Sequence, residues 1–231
     1  GTSGTVFNQP SFSGSTASKL YTTAYNASEI LPDQSVSPPN SLRVGFQFLD
    51  AAATGNWVRL TTFGPDPLID LNGAVAFDAL LLPADTAAPI APLGIGLGIR
   101  EVTKAAGTPL GSDGGTSGSI EWVGITDSAG GGPNPTRWLQ PGAWTPITFF
   151  PSAEPSLGFT GDGIVSTASG LAVLEHLALR APAVAGATGP GPGYHLFLDN
   201  IRVYADRNEI PEPATLSLLG LGLLPLIRRK K

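Results

Sequence analysis

Residues 42–48 read Leu-Arg-Val-Gly-Phe-Gln-Phe, an alternation that sends Leu42, Val44, Phe46 and Phe48 to one side of an extended chain and polar or small residues to the other. A period of two is the mark of a half-buried strand and cannot form the apolar stripe of a helix. Further segments of strand character follow at 57–61, 75–82, 93–100, 119–126, 145–150, 171–180 and 194–204. In 57–61, Val58 and Leu60 take the core side and Trp57 and Arg59 point outward together. Turn formers separate the segments: Gly64-Pro65-Asp66-Pro67, the glycine-rich 111–118, Gly130-Gly131-Gly132-Pro133, and 186–193. Eight short strands punctuated in this way predict an all-β fold, an antiparallel jelly-roll β-sandwich over residues 1–209. In 171–180 the apolar residues fit the period of a helix as well as that of a strand, and both stay open there.

The last residues have a different grammar. Pro211, Glu212 and Pro213 are followed by an uncharged run from Ala214 to Ile227, which includes Leu216, Leu218, Leu219, Leu221, Leu223 and Leu224. The chain then ends in Arg228, Arg229, Lys230 and Lys231. Proline fixes an extended entry and cannot continue a strand ladder, so residues 210–231 separate from the body. As a helix, the apolar run spans roughly 21 Å at about 1.5 Å per residue, short of a hydrocarbon core of roughly 30 Å. Snorkelling arginines and local thinning close that gap, and a short, transient membrane anchor is expected.

The Pro-Glu-Pro triplet, the apolar run and the closing basic cluster resemble the PEP-CTERM sorting signal. That resemblance implies recognition and processing by an exosortase, a membrane-embedded cysteine transpeptidase. Four terminal cations keep the chain's end on the cytoplasmic side by the positive-inside bias, which places the body outside the inner membrane. The expected itinerary is periplasmic while anchored, then cell-surface or extracellular. The chain starts at Gly1 and holds no methionine, so removal of a leader is expected as well.

Composition excludes several function classes. Without cysteine there is no disulfide framework, thiolate metal site or cysteine nucleophile. Net charge is −5, and four of the 13 Lys and Arg residues close the tail, so the body is more acidic still and lacks the basic stripe of a nucleic-acid binder. His176 and His195 are the two histidines, and no HExxH, nucleophile elbow, phosphate loop or dinucleotide fingerprint occurs. The body is therefore expected not to be an enzyme and to need no certain cofactor.

The body carries a second resemblance. Ser41-Leu42-Arg43-Val44 after a Pro-Pro-Asn turn, and the closing Leu-Phe-Leu-Asp-Asn-Ile-Arg-Val of residues 196–203, resemble the edges of carbohydrate-binding-module jelly rolls. Such modules often end in a strand whose aspartate binds a structural calcium. If Phe197, Ile201 and Val203 face inward, so does Asp199, and an ionised carboxylate there must be paired, hydrogen-bonded or metal-bound. Calcium ligation by Asp199, with Glu29 and loop carbonyls, is one expectation. Acceptance of backbone N–H bonds from the adjacent turn is the other.

Two further features point to contact surfaces. Leu93-Gly94-Ile95-Gly96-Leu97-Gly98-Ile99 has one aliphatic face and one of bare backbone, a trough for a neighbouring aromatic, a sugar ring or a partner protein. Among the four tryptophans, Trp57 has the best prospect of exposure because Arg59 shares its face, and the pair is the candidate ligand-binding site. Trp138 and Trp144 belong to a proline-rich stretch. Three readings follow: a non-catalytic surface or matrix protein for adhesion, matrix assembly or glycan contact; an accessory subunit of a membrane complex held by the tail; and a secreted glycan-processing enzyme.

Overall fold

The computed structural model describes residues 7–21, 25–32, 34–62, 68–85, 89–101, 120–128, 132–167 and 169–209. Two antiparallel sheets pack face to face. The first contains β1 (Ala27–Leu31), β2 (Ser41–Gln47), β12 (Gly193–Tyr204), β5 (Ala74–Pro83) and β9 (Thr145–Phe149), in that spatial order. The second runs β10 (Ser156–Gly158), β7 (Ile120–Val123), β6 (Leu93–Glu101), β11 (Leu171–Arg180) and β3 (Trp57–Thr61). Two short strands extend it, β4 (Leu68–Asp70) on β11 and β8 (Arg137–Leu139) on β6. The chain passes repeatedly between the sheets, so each layer is assembled from segments distant in sequence.

Period-two patterning does the sorting. Leu42, Val44 and Phe46 of β2 meet Leu93, Ile95, Leu97 and Ile99 of β6 in one buried cluster, joined by Val58 and Leu60 of β3. The 171–180 segment is a strand. Its ambiguity is resolved by tertiary pairing, because Leu177 and Leu179 lie opposite Leu97 and Ile95 on a ready-made aliphatic face.

The closing strand departs from expectation. Leu196 and Leu198, not Phe197 and Asp199, face the core, since Leu198 pairs with the core residues Leu42 and Ala79. A bulge between Asp199 and Arg202, with Asn200 at φ 52°, then resets the phase and returns Ile201 to the core. One uninterrupted period cannot describe a strand that contains a bulge. Val203, beyond the bulge, is left exposed.

Edges are managed locally. The N-terminal segment covers β3, where Asn8 N–H donates to the Thr61 carbonyl (2.7 Å) and Arg59 N–H to Thr16 Oγ1 (3.1 Å) from the short helix Gly14–Ala17. On β9, Pro146 removes a donor.

Register also defines two poles. Tyr204 lies opposite Ala74, and Ala172 opposite Glu101, at the pole where the chain leaves for the tail. At the far pole Tyr194 lies opposite Pro83, Arg180 opposite Gly94, and Gly94 opposite Trp138.

The bare outer face of β6 is filled from within. Pro135 lies over Gly94, Ile125 over Gly96, and the Trp122 ring and His176 over Gly98. The trough thus takes an aromatic, as one expectation had it, together with an isoleucine and a proline. A Cβ on Gly98 would sit 2.6 Å from the Trp122 ring and 2.7 Å from His176 Cβ, with β-strand backbone behind it. Gly98→Ala is therefore expected to destabilise the fold by about 1–3 kcal/mol, the usual cost of overpacking. Thermal or urea unfolding reads this out, and an unchanged midpoint would contradict the packing described.

Candidate functional site

Trp57 and Arg59 do share the outer face of β3, but that face is roofed. Trp57 is 8% exposed, edge-on to Trp122 (5.8 Å) and Phe159 (6.4 Å), with Lys19 Nζ 5.5 Å from its ring centre. Arg59 lays its guanidinium 4.9 Å over Phe159 and donates from Nε to Ser13 Oγ (2.7 Å). The expected binding pair is thus a packing pair. Its cover comes from Ser13, Lys19, Trp122, Gly132 and Phe159, none of which announces itself near Trp57 in the sequence.

Beneath the same roof lies an ionic group. Arg100 grips Glu175 from Nε and Nη2, and His176 Nε2 stands 3.1 Å from Glu175 Oε1. Burial alone would raise Glu175, yet the contacts from His176 and Arg100 hold it down at about 2. Burial pushes His176 below its ordinary value; Glu175 opposes this, while Arg59 and Arg100 add to it. His195 sits in the other sheet, edge-on to Tyr25 (6.1 Å) and Phe197 (6.3 Å), so the two histidines do not converge.

Glu121 lies opposite Ile99 on β7 and is fully buried. Gly163 N–H donates to its Oε2 (2.9 Å), whereas Oε1 rests against Gly161 with no hydrogen-bond partner. Burial raises its pKa, and Glu101 and Asp162 push the same way against the N–H bonds of the 162–163 turn.

Asp199 occupies the outer side of β12. Val36 N–H and Ser37 N–H each donate to its Oδ2 at 2.8 Å, and Asn200 N–H donates to Oδ1 at 2.7 Å. Asn200 Nδ2 then donates to Asp78 Oδ2 (2.8 Å). Glu29 is elsewhere, paired with Arg43 at 2.6 Å and level with Phe197, two strands across from β12 and so on the order of 10 Å away. Asp199 and Glu29 therefore do not share a site. Among the described residues no group of three or more His, Asp or Glu could hold a metal ion. The donors around Asp199 are three backbone N–H groups and the Ser37 hydroxyl, which together satisfy the carboxylate.

Phe12 and Tyr21 are exposed aromatics among the described residues, and among the described tryptophans the exposed one is Trp138. It is 39% exposed on the outer face of β8, in register with Gly94. Thr136 and Gln140 are exposed on either side of it, while Leu139 is buried in the core. This is a rigid platform, an indole mounted on a paired strand with hydroxyl and amide groups two residues away in each direction. Its signal was a brief alternation, Thr136 to Gln140, hidden in a proline-rich stretch. Trp144 is half-buried. Pro211, Glu212, Pro213 and the apolar run from Ala214 with Arg228 and Arg229 lie outside the described residues, within which no helix is long and apolar enough to cross a membrane.

Two outcomes are expected. Asp199→Asn should cost about 1–3 kcal/mol, because one carboxylate oxygen that accepts N–H bonds becomes a donor. That loss should be equal in calcium and in EDTA; a loss confined to EDTA-free buffer would restore the calcium reading. Glu121 acts with the opposite sign on pH from His176 and Glu175. His176 is depressed from 6.5, so its share of stability is present above that value and lost as pH falls below it, and Glu175 adds a loss between 4.5 and about 2. Glu121 is raised from 4.5, so its contribution is complete below that value and lost as pH rises through the folded one. Glu121→Gln should raise Tm at about pH 7 more than at about pH 4, and His176→Gln should flatten the fall in Tm below about pH 6.5. Scans over this range check both.

Comparison with known proteins adds two findings. Residues 209–231 match the PEP-CTERM protein-sorting motif. No curated protein matches the sequence. Solved structures similar to the body include a carbohydrate-binding module of the β-sandwich superfamily, with 11% identity and TM-score 0.42, covering 86% of this chain. This chain spans only 60% of that one. Another is a family 11 carbohydrate-binding module from Clostridium thermocellum in complex with a β-1,3-1,4-mixed-linked tetrasaccharide, with 12% identity, TM-score 0.40 and coverage of 78% and 82% of the two chains. A third is a carbohydrate-binding module specific for non-crystalline cellulose, with 16% identity, TM-score 0.34 and coverage of 81% and 87%. The chain carries a PEP-CTERM sorting motif behind a β-sandwich body, and the motif marks it for export and membrane-anchored sorting.

Proposed function

We propose that this is a non-catalytic surface protein, exported and handed by its tail to an exosortase-type enzyme, whose sandwich contacts glycan chains through Trp138. The observation that carries this reading is the placement of that residue. It is the one tryptophan with an open face among the described residues, and it stands at the pole opposite the tail exit. Along β6, the seven steps from Gly94 to Glu101 separate the two levels by roughly 23 Å at about 3.3 Å per residue. A body held by its C-terminus thus presents Trp138 outward, clear of the surface to which it is attached. An indole face stacks on the apolar face of a pyranose ring; Gln140 supplies donors and an acceptor for ring hydroxyls, and Thr136 Oγ1, which donates to the Gly124 carbonyl, supplies an acceptor.

A non-catalytic role is supported by how the body's carboxylates are used. Glu175 is bound by Arg100, Glu154 by Arg137, and Asp199 by backbone N–H groups. None of these stands free beside Trp138 to serve as acid or base. Adhesion or matrix assembly is the role that fits, with the periplasm as waypoint and the cell surface or matrix as destination.

Affinity electrophoresis through gels cast with soluble β-glucans, mannans and xylans tests this. The protein is expected to be retarded by at least one of them, and Trp138→Ala to weaken retention at least tenfold, about 1.4 kcal/mol. Equal migration in every gel, or unchanged retention of Trp138→Ala, would remove the proposal.

A further inference from the structure

We infer that Arg180 is a positioning residue for Trp138 and acts on it through Pro135. This rests on the glycan-contact reading of Trp138 and adds what holds that indole in place. Pairing sets three residues abreast on the outer face of the second sheet: Arg180 of β11 lies opposite Gly94 of β6, and Gly94 lies opposite Trp138 of β8. Residues directly opposite on antiparallel strands have Cβ atoms about 5 Å apart, so a side chain at position 94 is the one that would flank Trp138. Gly94 has none. The buried Pro135 ring takes that place instead, with Cγ 2.7 Å and Cδ 3.1 Å from where a Cβ on Gly94 would stand. A proline ring has no rotamers to lose, so it makes a stiff prop.

Pro135 belongs to the segment that leads into β8, and Arg180 clasps that segment. Its Nη1 donates to the Gly132 carbonyl (3.2 Å) and the Pro133 carbonyl (3.0 Å), while Nη2 donates to the Thr54 carbonyl (3.2 Å). One planar fork thus ties two loops together, which a lysine ammonium has neither the donors nor the reach to copy. Prolines 133 and 135 have no N–H to give, so the guanidinium supplies holding bonds that this stretch cannot make from its own backbone. On its other side the segment is fastened by Asn134 N–H to the Asp127 carbonyl (2.8 Å) and Thr136 N–H to the Gly124 carbonyl (2.8 Å). Without the clasp, residues 132–135 are free to lift, the space over Gly94 empties, and the indole gains room to turn. An indole that moves when free loses more entropy on stacking, so binding weakens with every polar contact to the sugar still in place.

Fluorine NMR of the full chain grown with 5-fluorotryptophan tests this, because only four tryptophans contribute lines and Trp138→Phe assigns the one of interest. Arg180→Met, which keeps the apolar stem, and Pro135→Ala, which keeps the clasp, are compared with the unmutated protein. Gly98→Ala serves as the control: it strains the same sheet four residues along β6 from Gly94 without touching Arg180 or Pro135. The Trp138 line is expected to broaden or split in both test variants and to stay single in Gly98→Ala. Retention in whichever glucan, mannan or xylan gel retards the unmutated protein is expected to weaken at least about threefold in both and to hold in the control. A Trp138 line that stays single and sharp in both variants overturns the inference, as does equal broadening in Gly98→Ala, or a broadened line with retention unchanged. Should Arg180→Met not fold, Pro135→Ala decides by the same two readouts. If no gel retards the unmutated protein, the glycan reading alone falls, and the fluorine lines still decide whether Arg180 and Pro135 hold the indole.

Discussion

Pairing of β12 with β2 on one side and β5 on the other is the constraint from which the remaining structure follows. The last strand in sequence is the middle strand of its sheet, so β1 and β2 are not joined to β5 and β9 until residues 193–204 arrive. Its inward residues complete the core, its outer side carries the Asp199 knot that holds the 36–37 turn, and its end leads into the short turn Arg207–Glu209. Such non-local closure is slow, because loop-closure entropy is spent before the contacts that reward it form. A chain of this topology remains open-edged until its C-terminal strand is available, which suits folding after export of the whole body.

How much of this was legible in the sequence depends on whether a local pattern decides the outcome. Leu42 to Phe48 and Leu93 to Ile99 alternate without interruption, and both are strands with the expected faces. The three-residue strands β4, β8 and β10 are too short to show a period, and they exist because a longer neighbour offers them a ladder. Asp199 was misplaced by one phase since Asn200, in a left-handed conformation, inserts a bulge that no hydrophobic pattern encodes. Trp57 was read correctly as outward and incorrectly as open. Alternation reports which side of a sheet a residue takes, not what loop later covers that side.

The roof over the second sheet has its own logic. Gly94, Gly96 and Gly98 remove side chains from the outer face of β6, which lets Pro135, Ile125 and Trp122 approach the backbone and turn an outer face into a second, aromatic core. Arg100, Glu175 and His176 lie on the same outer side, with His176 beside Trp122 over Gly98. Buried ion pairs of this kind seldom add net stability over apolar packing of the same volume, but breaking one leaves a charge stranded. They sit where Glu175 interrupts the ladder between β6 and β11.

Distance between the two poles gives the proposed activity its economy. One indole face stacked on one sugar ring, with two polar neighbours, is a small contact area and a weak one taken singly. A protein that the sorting machinery concentrates on one surface, each copy held by its C-terminal end with Trp138 directed away, meets a polymeric glycan at many points at once. The second and later contacts are then intramolecular, with an effective concentration set by the spacing of copies and not by bulk solution. Under that arrangement selection acts on rigid mounting and outward aim more than on the depth of a pocket, and a tryptophan fixed to a paired strand opposite the tether meets both requirements.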